Sequence, residues 1–189
     1  GYGGYLLLRH ISDAYLSKVS GKRWPSQRFT HLQEALDVQD VYDVSAQRQR
    51  DKVFWLDVLA SKTVPVSLGS RAHNTLATDV KLLRFQASIP EQTQQRLNEL
   101  ANLNKSSLSQ LLVSLVAIYL YKMTHQSDLI IGFPTSGRSG RLLRNFSGMA
   151  SNFLPLRLSI SPEMSLSDCI EQVKRNVRKL LKHQRYRSH

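Results

Sequence analysis

The segment SLSQLLVSLVAIYLYKM, residues 107–123, constrains the fold more than any other stretch. At helical spacing it is apolar on most of its faces, so it is expected as a central helix covered on several sides. Ser106 or Ser107 stands where a cap belongs. The longest apolar run, Leu111 to Tyr121, is broken by Ser114 and is too short to cross a bilayer. A central helix needs other layers around it. DLIIGFP, residues 128–134, supplies a short buried strand directly after it.

The rest of the chain alternates in kind. Leu7, Ile11, Ala14, Tyr15 and Lys18 form a stripe that predicts a first helix, stopped by Gly21. Gln33 to Asp43 reads as helical, and Ser45 caps a helix over Ala46 to Ala60 that buries Phe54, Trp55, Val58 and Leu59. Thr63 to Thr78 reads as a long connection. Lys81 to Ser88 alternates as a half-buried strand does. Pro90 opens a helix whose inner face is Leu97, Leu100 and Ala101. Asn152 to Ile160 is a further strand, with Pro155 marking an edge or bulge. Ser165 and Asp168 cap a last helix with the core stripe Leu166, Ile170, Val173, Val177 and Leu181. The fold class is α/β, a mixed sheet covered by helices.

The residues name no self-contained catalytic set. The 189 residues, 41% of them hydrophobic, suffice for one core or two small ones. A single cysteine, Cys169, excludes an internal disulfide and fits a reducing compartment. With no signal-peptide pattern, the expected setting is cytoplasmic, with no membrane partner. None of the six histidines adjoins another, and no cluster has metal-ligand spacing. His10 and Asp13 fall one helical turn apart and read as a solvent-facing pair. Gly137-Arg138-Ser139-Gly140 is one residue short of a nucleophile elbow, and no Walker loop is present.

The formal charge of +12 gathers in Arg138 to Arg144 and Lys174 to Arg187. A basic nucleic-acid-binding module is disfavoured, because the aromatic interleaving of a strand-binding groove is missing. One loop stands out. IIGFPTSGRSGRLLRNFSGMASNFLPLRL joins two strands through a dozen or so polar, glycine-rich and arginine residues. Loops of that length in compact domains are usually functional or disordered. Asn152 either satisfies backbone groups or serves a site, and Arg157 is either a surface charge or part of that site.

This loop carries a resemblance. Ser147-Gly148-Met149-Ala150-Ser151-Asn152-Phe153-Leu154-Pro155-Leu156-Arg157 resembles the Ile-Gly-x-x-Val-Asn-Thr-x-x-Leu-Arg motif of the condensation domains of non-ribosomal peptide synthetases. Ile131-Gly132-Phe133-Pro134 leading to Gly137-Arg138, then His183-Gln184-Arg185-Tyr186-Arg187, and Arg50-Asp51 followed by Phe54-Trp55 are similar to the family's other elements, in order. The resemblance implies a chloramphenicol-acetyltransferase-like subdomain. Residues 1–189 would be the C-terminal subdomain of a condensation domain, with the N-terminal subdomain and the catalytic His-His-x-x-x-Asp outside the chain. Gly1 would then be the last residue of the active-site motif, and a backbone N–H near it could help hold an oxyanion. The family commonly has serine where this chain has Gly3.

The implied activity is amide-bond formation between carrier-bound aminoacyl or peptidyl thioesters. Tyr2, Gly3, Gly148, Asn152 and Arg157 would line or neighbour the substrate tunnel. Arg138, Arg141 and Arg144 would dock a carrier domain. No cofactor would be bound by the domain itself, phosphopantetheine arms being carried by donor and acceptor carrier domains. The other partners would be the N-terminal half of the domain and an adjacent adenylation domain. The His-Gln-Arg-Tyr ending resembles siderophore assembly lines. An inactive, cyclising or epimerising relative and a free-standing coenzyme A acyltransferase share the fold and stay open as alternatives.

Overall fold

The computed structural model describes residues 2–23, 29–61, 66, 68 and 84–187. The helices are α1 (Tyr2–Ser20), α2 (Leu32–Asp43), α3 (Ala46–Val58), α4 (Glu91–Leu103), α5 (Leu108–Thr124), α6 (Gly140–Arg144) and α7 (Leu166–Lys182). The strands are β1 (Asp128–Thr135) and β2 (Asn152–Ser159). They pair with each other. Ile160 N–H donates to the Ser127 carbonyl at one end and Thr135 Oγ1 donates to the Asn152 carbonyl at the other, which makes the pair antiparallel. Among the described residues β2 has no second neighbour, so Pro155 lies in an edge strand, where its missing N–H breaks no interior ladder. The described residues fall into two compact units. One comprises Gly1–Ala60, Phe133–Leu154 and Leu181–His189; the other comprises Ser61–Gly132 and Pro155–Leu180.

In the second unit, Ala101, Leu111 and Ile170 form a buried cluster. Leu97, Leu100, Leu108, Leu115 and Leu166 pack on it. This is the inner face of α4 and the start of the α7 stripe, as expected. Val173 and Val177 continue that stripe, but Leu180 is the buried residue at its end and Leu181 is exposed. Both caps form. Gln110 N–H donates to Ser107 Oγ while Gln110 Oε1 accepts from Ser107 N–H, and Asp168 N–H donates to Ser165 Oγ. Contacts from the Ser165 hydroxyl and N–H hold the Asp168 carboxyl below its ordinary range. Helix α5 departs from the expectation of all-round burial. Leu111, Ser114 and Ala117 are buried, whereas Val116, Tyr119 and Met123 on the other side are exposed.

Two further readings need correction. Residues 84–88, the described part of the expected strand at Lys81 to Ser88, form no strand, and Phe85 is 90% exposed. Its apolar alternation has no described partner strand to pair with. The connection expected at Thr63 to Thr78 lies almost wholly outside the described residues. In α1 the expected apolar stripe points outward: Leu7, Ile11 and Tyr15 are exposed, whereas Leu6 and Ser17 are buried. The inner face recurs at 3, 6, 10, 13, 14 and 17, which is helical spacing carried, apart from Leu6, by small and polar residues. Those groups have partners. Ser17 Oγ donates to the Lys22 carbonyl, and the Ser147 carbonyl lies against Gly3. Gly21, at φ +64, ends the helix as expected. Asp13 pairs with Arg9 at 3.9 Å, and His10 packs on Phe29 with ring centroids 4.7 Å apart.

Candidate functional site

The first unit brings together three segments that are far apart in sequence: the first turn of α1, the loop 136–151 and the tail 183–187. The loop is built around Arg138. Helix α6 has only five residues, and backbone N–H groups at its end reach the Leu142 and Leu143 carbonyls. Side chains add further donors to its last carbonyls. Thr30 Oγ1 donates to the Leu142 carbonyl at 2.7 Å, Arg138 Nη1 to Leu143 at 3.0 Å, and Tyr2 OH to Arg144 at 3.3 Å. Arg138 also donates to the carbonyls of Phe146 and Gly148, and its guanidinium stands 4.6 Å from the centre of the Tyr2 ring. A guanidinium has five donors in a fixed fork, which suits it to gather converging carbonyls.

Close backbone approaches fix the same region. At Gly137, φ is +60, and a Cβ would lie 1.9 Å from the Ala150 carbonyl oxygen. At Gly3 a Cβ would lie 2.0 Å from the Ser147 carbonyl oxygen. The lack of a Cβ at Gly3 thus admits the loop backbone. A Cβ on Gly148 would strike the Phe146 ring.

The tail is held from two sides. Asn152 Nδ2 donates to the carbonyls of Gln184 and Tyr186, both at 3.1 Å. It is a clamp on non-local backbone. On the other side stands Asp51, 1% exposed. Its carboxylate faces Tyr42 OH at 2.6 Å, Gln47 Nε2 at 2.6 Å and His183 Nδ1 at 2.7 Å. The His183 ring stacks on Phe54 at 3.9 Å, and the His183 carbonyl accepts from Trp55 Nε1. Burial, and then the bond to Asp51, pushes the Tyr42 phenol well above its ordinary range. Arg185 covers the Tyr42 ring and donates to the Val38 carbonyl, while Arg187 donates to the Ala150 carbonyl.

The site residues read from the sequence therefore divide. Tyr2, Gly3, Gly148 and Asn152 lie in the first unit within this network, whereas Gly1 lies outside the described residues. Arg157 belongs to the second unit. It pairs with Asp128, with Nε 2.9 Å from Oδ1, and its carbonyl accepts from Asn176. It is an ion-paired side chain rather than a free surface charge. Of the three arginines expected to dock a carrier, Arg141 and Arg144 are exposed, but Arg138 is spent on the loop. Sequence reasoning missed the Asp51–His183 contact. A signal for half of it exists: Asp51 and Trp55 are one turn apart on one helix face, so an acid shares the buried stripe. Among the described residues no three His, Cys, Asp or Glu side chains gather as a metal site. No single described helix is long and apolar enough to cross a membrane.

The fold, helices around a small sheet, matches that of solved condensation domains. The chain resembles the first condensation domain of the calcium-dependent antibiotic synthetase, solved with a substrate analogue, at a TM-score of 0.82 and 27% identity. That match covers 99% of this chain and 41% of the solved one. The starter condensation domain of rhizomide synthetase matches at a TM-score of 0.78 and 32% identity, over 98% of this chain and 41% of that one. In sequence, the chain is 33% identical to a dimodular nonribosomal peptide synthase of Bacillus subtilis (strain 168), over 99% of this chain and 8% of the relative. It is 23% identical to enterobactin synthase component F of Escherichia coli (strain K12), over 98% of this chain and 14% of the relative. Residues 4–187 match the condensation-domain family, and the chain belongs to that family. It spans less than half of the solved condensation-domain chains and a smaller part of the synthases.

Proposed function

We propose that this chain is the C-terminal part of a condensation domain that joins two carrier-bound thioesters through an amide bond. The observation that supports it is the family match across 4–187, which takes in the loop and the tail of the built site. An acceptor amine attacks a donor thioester, the C–N bond forms, and the carrier thiol leaves. The reaction needs a group to take the amine proton and donors for the tetrahedral oxyanion. Those groups are assigned to the His-His-x-x-x-Asp motif expected immediately before Gly1. Holding both tethered substrates in one channel supplies much of the remaining rate. The outward apolar face of α1, with Leu7, Ile11 and Tyr15, suits cover by an N-terminal half, since large exposed apolar patches mark interfaces.

The phosphopantetheine arms come with the carrier domains, and an adenylation domain loads them. Arg141 and Arg144 on α6 suit an acidic carrier surface. Reversing both charges should weaken carrier binding and flatten its salt dependence. Unchanged binding removes this assignment. Arg138 is left out of that variant because its guanidinium shapes the loop. The direct test supplies the full-length protein with loaded donor and acceptor carriers and follows the products by mass spectrometry. An amide product on the acceptor carrier supports the reading. Unreacted thioesters alone overturn it.

A further inference from the structure

A groove of about 220 Å³ opens in the first unit between α2, the loop and the tail. Its apolar wall includes Leu32, Leu36, Phe146 and Met149. Three of these are surface residues, with Leu36 46% and Met149 87% exposed. Its polar wall holds Arg185 and Arg187, and no acidic side chain lines it. Both guanidiniums are fixed in advance, each by one nitrogen bound to a backbone carbonyl: Arg185 to Val38 and Arg187 to Ala150. Each keeps donors to spare. Arg185 Nε is buried with no acceptor among the described residues. An anion in the groove would instead meet the remaining guanidinium donors and their positive charge.

We propose that this groove binds a short apolar chain ending in a carboxylate, the chain lying along Leu32, Leu36 and Met149 and the carboxylate meeting Arg187 and Arg185. The volume is below the roughly 300–1,000 Å³ of sites for drug-sized ligands, so the occupant is short. The two arginines make the site selective for an anionic over a cationic end group. Because the arginines are already ordered, little side-chain entropy is lost when the ligand arrives.

The test is calorimetric titration of the full-length protein with hexanoate and, separately, with hexylamine at one ionic strength. Saturable hexanoate binding with no hexylamine binding is expected. Leu36→Glu and Met149→Glu each place a carboxylate at an exposed position in the groove wall and should abolish the hexanoate signal. Arg187→Gln should weaken it about tenfold, the loss of one charge-assisted hydrogen bond, while Arg187→Lys keeps most of it. No saturable hexanoate binding overturns the proposal. So does equal binding of hexylamine, or hexanoate binding that survives both glutamate variants. The readout involves no amide formation, so it stands or falls separately from the proposed reaction.

Discussion

Nδ1 of His183 lies 2.7 Å from Oδ1 of Asp51, a residue 132 positions earlier in the chain. Tyr42 and Gln47 donate to the same carboxylate, and the His183 carbonyl is taken by Trp55. The start of the tail is thus fixed by a buried acid on α3. Replacing Asp51 by alanine strips three polar groups of their acceptor. We expect a loss of about 3–5 kcal/mol, the cost of breaking a buried charged network at one member. His183→Ala removes one of the three donors and should cost less, about 1–3 kcal/mol. Guanidinium unfolding followed by tryptophan fluorescence reads both, and a D51A cost no greater than that of H183A contradicts the assignment.

Asn152 makes its two bonds as a donor. Asn152→Ala therefore loses both and should cost about 1–3 kcal/mol. Asn152→Asp should cost more than alanine at neutral pH, since an ionised carboxylate cannot donate and would face two carbonyl oxygens. Amide exchange of residues 184–187 should quicken in both variants. An aspartate variant as stable as the wild type would show that the clamp does not work through donation.

Two glycines separate steric need from mere tolerance. Gly137 has φ +60 and a carbonyl in the place of its Cβ, so Gly137→Ala should destabilise. Gly4, inside α1, has nothing within 4 Å of the position a methyl group would take. Gly4→Ala should stabilise by about 0.5–1 kcal/mol, the ordinary helix preference of alanine over glycine. Thermal melts of the pair should move in opposite directions.

Arg157 gives an acid-side prediction. Its hydrogen bond to Asp128 holds that carboxyl below its ordinary range. The folded pKa is lower than the unfolded one, so the stabilisation is complete above the unfolded value of about 3.9 and fades as pH falls through the folded value. The stability gap between wild type and Asp128→Asn should therefore be steady above about pH 5 and shrink below pH 4. Equilibrium unfolding across that range tests it, and a gap independent of pH would show that the carboxylate charge plays no part.

Where local rules decide, the sequence was informative. Ser45, Ser107 and Ser165 cap helices as their spacing requires, and Leu97, Ala101, Leu111 and Ile170 meet in a core. It misled at α1. Periodicity identifies an apolar stripe but not which side has a neighbour, and in α1 the polar stripe found partners. Residues 84–88 show the same limit, because alternation makes a strand only when another strand pairs with it. At the site, the sequence singled out Asn152 and left its role open. Its partners, the carbonyls of Gln184 and Tyr186, are backbone groups that no residue pattern reveals. Arg138 read as docking charge for the same reason, since its three acceptors are carbonyls too.

Arg138 grips carbonyls, and carbonyls are common to every amino acid. The course of the loop is therefore insulated from the identity of side chains such as Leu143 and Met149, which face the groove. That lining is open to point substitution without loss of the Arg138 contacts, so lining and scaffold occupy separate positions. For an engineer, this makes the loop a cassette: the surface residues are the variable part, and Arg138 with Gly3 and Gly137 is the frame to leave untouched.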